Sequence, residues 1–167
     1  MTTYFFSDFQ KEAAAVCSDR CATLDYLYPG LIAKLGKLVK IEANTFRGDY
    51  DDLSKDEIES MIDSEIGDVY WFIAMIMQTK DLDIDFEVHD AEVKAEYYNP
   101  TTLTAVNMLA IMATIYTAQN KPEGMVCPSA KDLELLFMQL ISFTRALCLA
   151  RIPEKEILDK NIAKLAD

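Results

Sequence analysis

The stretch Val69-Tyr70-Trp71-Phe72-Ile73-Ala74-Met75-Ile76-Met77 decides the fold. Upstream, Ser54 is followed three residues later by Glu57, the spacing of a reciprocal helix cap. A helix opening at Ser54 runs to about Thr79, and its apolar run must be buried on most sides. Buried helices need partners, so the rest of the chain is read for helices able to supply them. Apolar residues recur at three- and four-residue intervals, the helical period rather than the alternation of a strand.

Working outward, the polar run Arg47-Gly48-Asp49-Tyr50-Asp51-Asp52 reads as a loop. Before it, residues 31–46 form a helix with Leu31, Leu35, Leu38 and Ala43 on one side, stopped by Gly48. Farther back, a lead-in helix over about 7–28 closes at Pro29-Gly30. Beyond an acidic connector, Asp81 to Asp90, residues 103–119 and 130–150 form two further helices, broken by Asn120-Lys121-Pro122-Glu123-Gly124 and ended before Pro153. Glu154 to Ala166 is a short amphipathic helix. The expectation is one all-α domain over residues 1–167, a four-helix bundle of two hairpins, about 31–79 and about 103–150, with terminal helices.

The chain has 167 residues, a size suited to one core, and its 51% apolar content excludes a disordered chain. Sixteen Lys and Arg against 28 Asp and Glu leave a net charge of −12. Such a surface repels nucleic-acid backbones and anionic membranes, so any anion site must be local. No stretch is long and apolar enough to span a bilayer and the start lacks a signal-type run, which reads as a cytosolic protein. Cys17, Cys21, Cys127 and Cys148 lack the paired spacing of a zinc site and read as buried thiols. His89, in the acidic connector, reads as a solvated side chain.

Chemistry-bearing residues gather on the central hairpin. Lys34, Lys37 and Lys40 are spaced by three and form a drifting stripe. Glu65 and Asp68 share that spacing on the next helix, and an antiparallel hairpin can set the acids opposite the amines. Gly36 and Gly67 sit among these charges at a cost of about 1 kcal/mol each relative to alanine. Either close helix packing or room for a phosphate or metal beside the backbone offsets that cost.

The stretches Gly30-Leu31-Ile32-Ala33-Lys34-Leu35-Gly36-Lys37-Leu38-Val39-Lys40, Glu65-Ile66-Gly67-Asp68-Val69-Tyr70-Trp71-Phe72-Ile73-Ala74 and Asn161-Ile162-Ala163-Lys164-Leu165-Ala166-Asp167 resemble the MazG-like all-α nucleoside triphosphate pyrophosphatases, phage-encoded members included. That resemblance implies that Glu65 and Asp68 are the E-x-x-D pair that holds Mg²⁺ for attack between the α- and β-phosphates, and that the protein is a homo-oligomer. It also places Lys34, Lys37 and Lys40 where the family carries glutamates. Three ammoniums and two carboxylates make a site of net charge +1, and an ammonium offers no lone pair to a cation. Lysines still attract phosphate without activating water.

The expectation is therefore a catalytically weakened homologue, needing no cofactor, that binds a nucleotide or nucleotide-derived signal and sequesters it; phage counter-defence is the use the resemblance implies. In it Lys34, Lys37 and Lys40 hold the phosphate, Glu65 and Asp68 orient them, Tyr70 or Trp71 packs on the base, and Asn161 and Lys164 add contacts. Two alternatives stand beside it. One is a Mg²⁺-dependent pyrophosphatase that keeps Glu65 and Asp68 as metal ligands and recruits Glu42 or the Asp49, Asp51 and Asp52 loop. The other is an acidic interaction protein in which the lysines merely pair with Glu65 and Asp68.

Overall fold

A computed structural model of the chain describes residues 3–18, 21–82, 84–88, 101–119, 129–149 and 152–166. The regular structure among these residues is all helical, apart from one isolated extended pairing. The helices are α1 (Phe6–Ala15), α2 (Leu24–Arg47), α3 (Lys55–Thr79), α4 (Thr101–Gln119), α5 (Ala130–Leu149) and α6 (Glu154–Ala166).

The run that opened the sequence reading lies inside α3, and every residue from Ile66 to Met77 is buried. Its N-terminus is closed as the spacing requires. Ser54 Oγ accepts from the Glu57 amide at 3.2 Å, and Glu57 Oε2 accepts from the Ser54 amide at 2.8 Å. α2 packs on α3 and α4, α3 on α5, and α4 on α5, while α1 and α6 both lie on α3. The apolar run is thus covered from several sides, which is what its lack of a polar face demands.

Two boundaries differ from the sequence reading. The lead-in helix ends at Ala15, and α2 begins at Leu24 and runs through Pro29 instead of starting after it. Proline removes one donor from the helix, but Leu27, Tyr28 and Leu31 on this turn are all buried, and their packing outweighs that loss. At the other end α2 stops at Gly48, as expected, with φ at 84° in the left-handed region that glycine adopts without strain. Leu31, Leu35 and Leu38 form the inner stripe, continued by Ile41 rather than Ala43, which is exposed.

The start of the acidic connector is not a solvated linker. Residues 84–88 run antiparallel to residues 4–6, with Phe6 N donating to Phe86 O and Val88 N to Tyr4 O, both at 2.9 Å. Asp85 accepts from the amide and hydroxyl of Ser7, each at 3.0 Å, and Phe86 stacks on Phe6. His89, Cys127 and the 120–124 break lie outside the described residues. Cys17 and Cys21 are half-buried in the α1–α2 connection.

At Gly30, α2 leaves no room for a side chain against the Phe72 ring of α3. A methyl group there would sit 2.2 Å from Phe72 Cε1, and the Phe72 ring is held between Trp71 and Tyr26. At Gly36 an added methyl meets nothing within 4 Å. Gly30→Ala is therefore expected to cost about 1–3 kcal/mol by overpacking, while Gly36→Ala gains about 0.5–1 kcal/mol of helix propensity. Urea midpoints should rank Gly36→Ala above wild type and wild type above Gly30→Ala; the reverse order would contradict this packing.

Candidate functional site: an ammonium-carboxylate cluster beside a polar groove

Helical spacing brings Lys34 and Lys37 of α2 opposite Glu65 and Asp68 of α3. Lys34 Nζ lies 2.5 Å from Asp68 Oδ2 and 3.2 Å from Glu65 Oε2, and Lys37 Nζ lies 3.3 Å from Glu65 Oε1. The contact to Glu65 Oε2 is an ion pair without hydrogen-bond geometry, and that oxygen is shut off from water. α6 completes the cluster from the other side. Asn161 Nδ2 donates to Asp68 Oδ1 at 2.8 Å, and Lys164 reaches the same oxygen and, at 3.3 Å, Ser64 Oγ.

Asp68 is the hub, buried to 7% exposure and met by three donor side chains from two helices, Lys34 of α2 and Asn161 and Lys164 of α6. Burial works to raise its pKa, but hydrogen bonds and charge from Lys164 and Lys34 outweigh that and hold it below the usual carboxylate range. Burial likewise works against the Lys34 ammonium, and Asp68 and Glu65 together reverse it, leaving its pKa above the ordinary lysine value. Three ammoniums face two carboxylates, so the cluster keeps a net charge of +1.

The other expected site residues fall elsewhere. Each three-residue step along a helix falls 60° short of a full turn, so Lys40 is rotated about 120° from Lys34; it is exposed and outside the cluster. Tyr70 is two positions beyond Asp68, on the far side of α3, where it is fully buried and donates to Glu154 Oε1 at 2.5 Å. Trp71 is 7% exposed, packs edge-on against Phe72 and donates to Ala13 O at 3.4 Å. Neither aromatic is available to stack on a base at the cluster.

Gly67 and Gly36 also part company. A methyl on Gly67 would lie 3.0 Å from Asn161 Cβ, so this glycine lets α6 approach α3 closely. Gly36 faces open space. Of the two explanations offered for these glycines, close packing applies to Gly67 alone.

Glu65 and Asp68, the pair the resemblance assigns to Mg²⁺, do not fit a divalent cation. Ammonium groups occupy the positions around both carboxylates, and among the described residues no three His, Cys, Asp or Glu side chains are grouped to hold a metal. Glu42 lies eight residues beyond Lys34, roughly 12 Å along α2. Asp49 is paired with Arg47 at the hairpin end.

Beside the cluster, between the first half of α3 and α6, runs an open groove of about 400 Å³. Asp56, Glu59, Asp63, Ser64 and Gly67 line one side, and Ile157, Lys160, Asn161 and Lys164 the other. Asn161 has its amide nitrogen committed to Asp68, which fixes its orientation because only N–H can face a carboxylate. Lys164 and Lys160 stand at the groove with side chains 43% and 63% exposed. Lys160 pairs with Glu156 at 2.7 Å, an exposed i,i+4 pair of small worth. The sequence reading missed Lys160, although its four-residue spacing from Lys164 puts both on one face of the tail helix.

No protein-family model, curated protein or solved structure matches this chain.

Proposed function

We propose that the chain binds a phosphate-bearing small molecule, a nucleotide or nucleotide-derived signal, in the α3/α6 groove and holds it without hydrolysing it. The phosphate end lies on Lys164 and Lys160, and the polar wall of Asp63 and Ser64 accepts hydroxyl or amino groups of the remainder. The observation that carries this reading is the surplus of one ammonium over the carboxylates of the Asp68 cluster, one of whose lysines, Lys164, stands at the groove. A dianionic phosphate supplies the missing negative charge at short range. Sequestration is the role this implies, since the groove sets two amines for a phosphate beside the acids Asp56, Glu59 and Asp63, and the ammoniums around Glu65 and Asp68 take the place of a metal that would activate water.

The resemblance to MazG-like pyrophosphatases supports the same reading. A ring of contacts from α2 to α3, α5, α4 and back to α2 suits a four-helix bundle of that type, with the acids of the first helix replaced by amines. On this reading binding has outlived chemistry in this chain.

A second reading, a pure interaction protein, is favoured by the saturation of Glu65 and Asp68. Both are already met by lysines, so the cluster can be a clamp joining α2, α3 and α6 with no ligand at all. Isothermal titration calorimetry with inorganic pyrophosphate and a panel of nucleotides separates the two. The binding reading expects at least one nucleotide to bind, with Lys164→Met lowering affinity about 10-fold or more, the loss of one charge-assisted contact. Absence of heat with every compound would leave the clamp reading standing.

A further inference from the structure

The α3 wall of the groove is acidic. Asp56, Glu59 and Asp63 line it at spacings of three and four, which keeps them within about 60° of one another around the helix. Lys160 and Lys164, four apart, share one face of α6 on the other side. Three carboxylates against two ammoniums leave the groove itself with a net charge of −1. A phosphate on the lysines therefore accounts for only one of the two walls.

Lys164 Nζ lies 3.3 Å from Ser64 Oγ, which fixes where along α3 the phosphate end falls. Glu59 and Asp56 precede Ser64 by five and eight residues, roughly 7 and 12 Å farther along the helix axis. Asp56 is exposed, and the Glu59 side chain is 41% exposed in an i,i+4 pair with Lys55 of the kind that contributes little, so both carboxylates are open to a ligand. The α6 wall also lacks a donor. Asn161 is 3% exposed, its Nδ2 is given to Asp68, and its Oδ1, on the other branch of the amide, has no hydrogen-bond partner among the described residues. A buried acceptor without a donor is costly. A fully ionised phosphate has no hydrogen to give, so it answers the lysines and offers nothing to the α3 carboxylates or to this amide oxygen.

Resting on the phosphate seat proposed above, we propose that the ligand of this groove is dipolar, a phosphate ester that also carries a protonated amine or guanidinium. The phosphate lies on Lys160 and Lys164, and the cationic group lies along the acidic wall toward Glu59 and Asp56, roughly 7–12 Å away. Such a molecule meets opposite charge at both walls, whereas a plain phosphate held by the lysines faces carboxylates across the groove. Beside the phosphate, a hydroxyl or amino hydrogen of the same molecule meets Asn161 Oδ1.

Titration of the nitrogen-15-labelled full chain with hexyl phosphate and with aminohexyl phosphate, followed by amide chemical shifts, tests this, because the two probes differ only in the terminal amine. Aminohexyl phosphate should bind about 10-fold or more tighter at low salt, and the gap should narrow as added salt screens the walls. Asp56→Asn combined with Glu59→Gln should close the gap from both sides, weakening aminohexyl phosphate and tightening hexyl phosphate, while circular dichroism reports unchanged helix content. Lys164→Met should weaken both probes. Equal affinities for the two probes, each lowered by Lys164→Met, would overturn the cationic arm and leave the phosphate seat standing. A gap that survives the double substitution would overturn the placement on Asp56 and Glu59. No shift with either probe, or binding indifferent to Lys164→Met, would overturn the phosphate seat and this inference with it.

Discussion

Arg145→Met should lower the stability of the protein by about 3–5 kcal/mol, the usual consequence of leaving a buried charge without its partner. Glu154 is fully buried at the first turn of α6. Its carboxylate accepts from Arg145 Nε at 3.2 Å to each oxygen and from the Tyr70 hydroxyl at 2.5 Å, and lies 3.1 Å from Arg145 Nη2 as an ion pair. The same guanidinium donates to Glu87 O at 2.8 Å and stands 4.5 Å over the Phe86 ring. Arg145 therefore fastens α5 to α6 and to the 84–88 segment, and Glu154 carries the link on to α3 through Tyr70. For a chain of this length the expected fall in Tm is about 6–20 °C. Replacing the whole group, Arg145→Met with Glu154→Met and Tyr70→Phe, should recover most of the loss, since the penalty belongs to the unpaired charge. A melting curve of Arg145→Met within a degree or two of wild type would show that the network does not hold these helices.

Asp68→Ala is expected to cost about 2–3 kcal/mol at neutral pH, by stripping Lys34, Lys164 and Asn161 of their common acceptor. The figure is set below that for a fully buried pair because Lys164 is 43% exposed. The pH dependence follows from the directions of the shifts. Asp68 is held below the ordinary carboxylate value of about 3.9, so its stabilisation is complete above that pH and is lost as pH falls through the lowered folded value. Lys34 is held above about 10.4, so its share is complete below that pH and is lost as pH rises through the raised folded value. Urea titrations should show wild type losing more stability than Asp68→Asn when acidified below about pH 4. Parallel acid profiles would contradict the ion pairing.

Much of this was legible in the chain, for identifiable reasons. The Ser54 and Glu57 cap, the Gly48 stop and the apolar run of α3 are local signals, and local chemistry decides them. Lys34 and Lys37 meeting Glu65 and Asp68 was readable too, because i,i+3 spacing on both arms of an antiparallel hairpin leaves little choice of partner. Pro29 misled, since burial of its neighbours on α2 outweighed a missing donor. Lys40 was carried along by a spacing that drifts off the face, and Tyr70 was assigned to a face two residues away from its own. The Arg145, Glu154 and Tyr70 network gave no signal, because Glu154 looks like any acid in the first turn of a polar helix until α3 and α5 close over it. The groove was half legible: Asn161 and Lys164 were flagged by the tail motif, whereas the wall they share with Asp63 and Ser64 depends on how Gly67 lets α6 settle.

The proposed function requires that the amines at the α3/α6 groove hold phosphate and that the site does not cleave it. Phosphorus-31 NMR of nucleoside triphosphates mixed with the protein and Mg²⁺, followed over hours, reads both requirements at once. The expected spectrum shows broadened or shifted resonances of an intact triphosphate that sharpen again with Lys164→Met, and no new line. Growth of a pyrophosphate resonance that Asp68→Ala abolishes, or lines identical with and without protein for every nucleotide, would contradict it.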